Sequence, residues 1–241
     1  HLRTSAKQMQ KIHLRDLLYS RRDDFIFSLN DLSVDATRQP VTADIIANLC
    51  RLVDHMGLSA FQQQMIAGEK LNVSEDRPVL HCSLRAPSRL LTEEWKKLSA
   101  YAEAVRANRQ INYIVNLGIG GSDLGGAMVV KALAQECDGP EVHFAGNIDP
   151  AALGDVLTRC MPEQTLIIIT SKSFTTAETL MNASLARYWL EGAGVDADQC
   201  FAAVTAAPEK AREYGIDEKR IFGFSDGIGG RYSVWSAVGL P

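Results

Sequence analysis

With 241 residues, 46% of them apolar, the chain has enough material for one large core or two small ones. Charged residues make up 22% and the formal net charge is −4, which excludes a general attraction to nucleic acid or anionic membrane. An anionic ligand would need a locally basic site.

No apolar stretch approaches the length of a membrane span. The N-terminal HLRTSAKQMQK lacks the apolar segment of a signal peptide. Five scattered cysteines (Cys50, Cys82, Cys137, Cys160 and Cys200) form no CxxC pair. They read as reduced thiols and point to the cytoplasm. The chain begins without methionine and stops directly after an apolar run, residues 234–240, so a fragment of a longer protein is expected.

Residues 1–91 read as a mainly helical N-terminal region. A helix over 11–24 carries Ile12, Leu14, Leu17 and Leu18, and short strands follow at 25–28 and 32–34. Thr42 is placed to cap a helix reaching about Met56, with Ile45, Ile46, Leu49 and Leu52 on one face. Ser59 and Gln62 form a capping-box pattern for a second helix, ended by Gly68. Residues 79–84, after Pro78, read as extended.

From residue 92 the rhythm changes. Thr92 is expected to cap a helix over 93–107. Strands at 111–117, 141–144, 165–170, 200–205 and 221–224 then alternate with helices at 122–134, 150–159, 176–191 and 208–214. That alternation predicts an α/β fold: a parallel sheet of about five strands with helices on both faces, joined by right-handed crossovers. The unbroken apolar run TLIIIT fits a strand covered on both sides. Ligands in such folds bind beyond the carboxyl ends of the strands.

Two loops at that edge carry chemistry. The first lies in NYIVNLGIGGSDLGG, residues 112–126. It lacks the third glycine of a dinucleotide fingerprint, where Asp123 stands. It also lacks the lysine and hydroxyl of a P-loop, where Gly126 and Ala127 stand. What remains is either a tight strand-to-helix turn or a backbone cradle for an anion. The second loop, SKSFTT at 171–176, places four hydroxyls and a lysine between a buried strand and a helix. One helix cap needs one hydroxyl, so the surplus favours phosphate binding. A third stretch, DGIGGRYSVWSAVGL at 226–240, delivers Arg231 to the start of an apolar helix. There it either pairs with Asp226 at the surface or sets fixed positive charge over an anion. The five histidines have no metal-ligand spacing and neither nucleotide signature is met, so no metal and no cofactor is expected.

Taken in order, GEKLNVSEDRPVLHCSLR, GIGGSDLG, SKSFTTAET and GGRYSVWSAVGL resemble the glucose-6-phosphate isomerase family. Ser173 stands where threonine is commoner, and Ser225 and Gly227 where many members carry tryptophan. The resemblance implies a sugar-isomerase (SIS) domain of flavodoxin-like, three-layer type over 92–241, with the second such domain absent from this chain. It implies interconversion of glucose 6-phosphate and fructose 6-phosphate through a cis-enediol in glycolysis and gluconeogenesis, in a homodimer. Carried over by motif, Ser171, Lys172, Ser173 and Thr176 would hold the phosphate. Gly121 and Ser122 would line the sugar end, and Arg231 would face the enediolate charge. The family's general base belongs to a later segment, so this chain alone is expected to bind without turnover. The alternative is a stand-alone regulatory domain of the same fold that senses sugar phosphates.

Overall fold

The computed structural model describes residues 2–18, 23–85, 89–136 and 138–241. The chain divides into two compact units, His1–Gln64 and Met65–Pro241. This division falls earlier than the change of rhythm at residue 92.

The first unit opens with helix α1 (Leu2–Met9), which the sequence pattern does not announce, and a short α2 (Leu14–Leu18). Residues 19–22 of the helix expected over 11–24 lie outside the described residues. Strands β1 (Ile26–Leu29) and β2 (Leu32–Asp35) pair as an antiparallel hairpin. Helix α3 (Ala43–His55) starts where Thr42 predicts it, the Ile45 amide donating to the Thr42 hydroxyl at 3.4 Å. Helix α4 (Leu58–Ile66) begins one residue before Ser59, so Ser59 is not its cap. Gly68 ends it with a left-handed backbone, φ +78°. Among the described residues of this unit none is buried. Both hairpin strands are exposed along their length.

The second unit is the α/β body. Residues 79–84 are not extended: His81–Leu84 forms a 3₁₀ turn. The Ser83 hydroxyl donates to the Leu80 carbonyl at 2.6 Å and closes it. Helix α5 (Arg89–Ala107) starts before Thr92, which therefore lies inside the helix. Then follow β3 (Tyr113–Leu117), α6 (Leu124–Ala132), β4 (Glu141–Ala145), α7 (Pro150–Leu157) and β5 (Thr165–Thr170). The body closes with α8 (Ala177–Gly192), β6 (Phe201–Thr205), α9 (Pro208–Glu213) and β7 (Ile221–Gly223). The five strands pair in parallel in the order β4-β3-β5-β6-β7.

Side-chain alternation sorts one apolar run into two cores. On one face Val115, Leu117, Ile167 and Ile169 pack with Leu153, Ala183, Ala186, Leu190 and Ala211 from α7, α8 and α9. On the other, Ile114, Leu166, Ile168 and Val204 pack with Leu98 and Val105 of α5. Complete burial of each large aliphatic side chain contributes about 1.5–3 kcal/mol.

The predicted α-helix after Arg231 is replaced by two 3₁₀ turns, Gly230–Trp235 and Ala237–Gly239. Serines cause the change. Ser233 Oγ donates to the Gly230 carbonyl at 2.6 Å, and Ser236 Oγ to the Ser233 carbonyl at 2.6 Å. Those hydroxyls compete for acceptors that an α-helix would use.

Candidate active site at the sheet's switch point

Strand order reverses at β3: the chain moves to β4 on one side, then crosses to β5 on the other. The loops after β3 and β5 therefore diverge next to each other, and the space between them is where such sheets hold ligands. Buried Asn116 on β3 ties the two together. Its Nδ2 donates to the Ser122 carbonyl at 3.0 Å, and its Oδ1 accepts from Thr170 Oγ1 at 2.6 Å. Sequence reasoning passed over Asn116. The signal was there: a polar residue in an otherwise apolar strand.

Ser122, Ser171, Lys172, Ser173 and Thr176 line one cleft of about 460 Å³, with Thr170, Thr179, Lys210, Arg77, Glu75 and Asp226. That volume lies within the usual range for small-molecule sites, roughly 300–1,000 Å³. The Ser171 and Thr176 hydroxyls are 3.2 Å apart. Thr176 precedes α8 without using its hydroxyl as the helix cap. The first turn of a 16-residue helix thus meets the cleft with its amide dipole and a hydroxyl left over from capping. Lys210 Nζ donates to the Ser173 carbonyl at 3.3 Å and adds positive charge.

Phe174 anchors this loop. Its ring is buried and meets Tyr214 edge-on at 6.0 Å, while its backbone is held in the left-handed region at φ +51°. That conformation costs a non-glycine residue on the order of 1–3 kcal/mol. Burial of the ring offsets the cost and fixes the middle of the loop that carries Ser171, Ser173 and Thr176.

The glycine loop is shaped largely by contact with the protein's own backbone. A Cβ on Gly121 would sit 2.5 Å from the Gly230 carbonyl oxygen, and one on Gly118 would sit 2.8 Å from the Thr170 carbonyl oxygen. Ser233 Oγ donates to the Gly121 carbonyl at 3.0 Å. The glycine loop and the arginine loop are thus locked together with no room for a side chain between them. Gly121 lies at this junction beside the cleft-lining Ser122. Arg231 follows Gly230 directly but is exposed and is not among the residues lining the cleft. The sequence-level pairing of Arg231 with Asp226 does not form: Asp226 is engaged by Arg77 and Lys172, at 2.9 and 3.0 Å.

Asp123 adjoins the glycine loop, with one carboxylate oxygen buried and unpartnered. Burial pushes its pKa above the ordinary value. Among the described residues no cluster of His, Cys, Asp and Glu is arranged to hold a metal. No described helix is long and apolar enough to cross a membrane.

Residues 35–241 match the family model described as phosphoglucose isomerase. The chain belongs to the phosphoglucose isomerase family. It is 38% identical over 261 residues to the glucose-6-phosphate isomerase of Ruegeria pomeroyi, a match covering 100% of this chain and 48% of that protein. Its identity to the Xanthobacter autotrophicus enzyme is 43% over 242 residues, covering 92% and 44% of the two chains. The crystal structure of a glucose-6-phosphate isomerase from Chlamydia trachomatis superposes with a TM-score of 0.78 at 28% identity, covering 98% of this chain and 50% of that one. The chain spans about half the length of the curated relatives it matches. In this member of the phosphoglucose isomerase family, sequence reasoning also missed Arg77 and Thr179 as cleft residues. Arg77 is distant in sequence and reaches the cleft by folding back on Asp226, and Thr179 reads as an ordinary helix residue.

Proposed function

We propose that this chain is the phosphate-binding half of a glucose-6-phosphate isomerase. The observation that carries the reading is the convergence of Ser122, Ser171, Ser173 and Thr176 on one cleft at the switch point, in a chain of this family. In this reading the hydroxyls and the α8 amide dipole take the phosphate of glucose 6-phosphate or fructose 6-phosphate. Lys172 and Lys210 balance its charge. A fixed phosphate sets the position of C1 and C2, which converts proton transfer between them into a local event. Gly121 and Ser122 border the sugar end.

Ring opening precedes transfer of a proton from C2 to C1 through a cis-enediol. Negative charge develops on the enediolate oxygen as the proton leaves. Arg231, next to the Gly121–Gly230 junction, supplies the fixed cation for that charge. The base that moves the proton belongs to a second sugar-isomerase domain outside this chain, and the working enzyme is a cytoplasmic homodimer. No metal or nucleotide takes part.

Calorimetric titration with fructose 6-phosphate, with AMP as control, tests the reading. Saturable binding of the sugar phosphate and none of AMP is expected. A folded sample that binds neither would remove the phosphate from these loops.

A further inference from the structure

The same cleft holds a chain of linked charges. Its lining includes the cations Arg77, Lys172 and Lys210 and the carboxylates Glu75 and Asp226. Arg77 Nη1 donates to the Asp226 carbonyl at 2.7 Å and to Asp226 Oδ1 at 2.9 Å, while Nη2 pairs with Glu75. Lys172 Nζ lies 3.0 Å from that same Oδ1.

The two contacts differ in kind. Arg77 is hydrogen-bonded to Asp226. Lys172 is only close: its Nζ is buried, and its N–H groups meet no acceptor in hydrogen-bond geometry. An ammonium in that state has a charge partner but unused donors, which is unfavourable. Thr179 Oγ1, on the same wall and in a residue 1% exposed, is likewise unpartnered. Asp226 itself is 66% exposed. Water and Arg77 would satisfy it if Lys172 turned away.

We propose that Asp226 is the resident counter-anion of this cleft. It pairs with Lys172 and yields it to an entering phosphate dianion, keeping Arg77. The proposal rests on the reading that the cleft takes a phosphate ester. It assigns Asp226 a role opposite to that of a binding residue, because its charge works against the ligand. A dianionic ester gains Lys172 by outweighing one carboxylate, whereas a monoanion merely exchanges one charge for another. Asp226 thereby sets a charge threshold for entry.

The test is calorimetric titration of the 241-residue chain and its Asp226→Asn variant with inorganic phosphate and with fructose 6-phosphate, at two salt concentrations. Asp226→Asn is expected to bind both roughly two- to fivefold more tightly, the range for removing one exposed charge, with the gain shrinking at high salt. Thermal melting checks that the variant is folded, and Asp226→Ser serves if it is not. Unchanged or weaker binding by a folded variant overturns the proposal and makes Asp226 a positioning group for Lys172. Wild-type binding without a gain in the variant sinks only the counter-anion. No binding by either protein sinks the phosphate reading and the counter-anion together.

Discussion

At the scale of single residues, the hydroxyls of the second loop divide by what they already bond. Ser171 and Thr176 share one contact at 3.2 Å, whereas Ser173 accepts from the amide and hydroxyl of Thr175 at 3.3 and 2.8 Å. The combined substitution Ser171→Ala with Thr176→Ala therefore removes both hydroxyls of that contact, one of them on the residue that precedes α8. It is expected to weaken fructose 6-phosphate binding by about 2 kcal/mol, roughly thirtyfold, in calorimetry. Unchanged affinity would place the phosphate elsewhere. Asp123 carries a different expectation. Burial raises its folded-state pKa above the ordinary 3.8. Its contribution to stability is therefore full below the ordinary value and is lost as pH rises through the raised one. Asp123→Asn removes a half-buried, poorly partnered charge. It should raise Tm at neutral pH, with the gain fading as pH falls towards the ordinary value. A gain that persists unchanged in acid would contradict burial of the charge as its cause. Both loops were legible in the sequence because glycine and hydroxyl clusters break the apolar rhythm. Asn116 stood out as a polar residue in an apolar strand, but its role and that of Arg77 were not legible, because they depend on partners 54 and 149 residues away.

At the scale of elements, the strands of the sheet are legible from composition, with small errors at their ends. A strand buried on both faces must be largely apolar, as TLIIIT is. Two of the errors fell where side-chain hydroxyls take over backbone bonding. Ser83 closes a turn at 81–84, and Ser233 with Ser236 converts an expected α-helix into 3₁₀ turns. Burial also separates the two units sharply. Ile167, Ile169, Phe201 and Val204 are fully buried in the sheet, while Leu29, Leu32 and Met56 are 74%, 68% and 72% exposed. Few buried contacts mean low local opening free energy. Hydrogen exchange should therefore be fast in the described amides of the first unit and slowest in β3, β5 and β6. Equal protection in both would show that burial does not govern local stability in this chain.

At the scale of the whole molecule, the chain has about half the length of its relatives. The proposed site takes its phosphate-binding groups and a nearby arginine from this chain and its base from a second domain. The purified chain is therefore expected to show no interconversion of glucose 6-phosphate and fructose 6-phosphate in a coupled assay. Measurable turnover would require a base within residues 1–241. In a protein that also carries the second domain, Arg231→Ala should lower kcat far more than it raises KM if the proposed role holds, because that role matches its charge to the transition state. Equal losses in substrate binding and turnover would mean that Arg231 holds the ground state.

By itself the sequence determined the α/β class, the alternation of strands and helices, and the two loops that carry hydroxyls and glycines. These follow from local rules: side-chain period, turn chemistry and the need to bury apolar runs. Only the tertiary structure decided the strand order, and with it the switch point that brings both loops to one cleft. It also decided that Gly121 meets Gly230 and that Asp226 binds Arg77 and Lys172 instead of Arg231. Those outcomes depend on which distant segments pack together, and no local pattern encodes a contact across 149 residues.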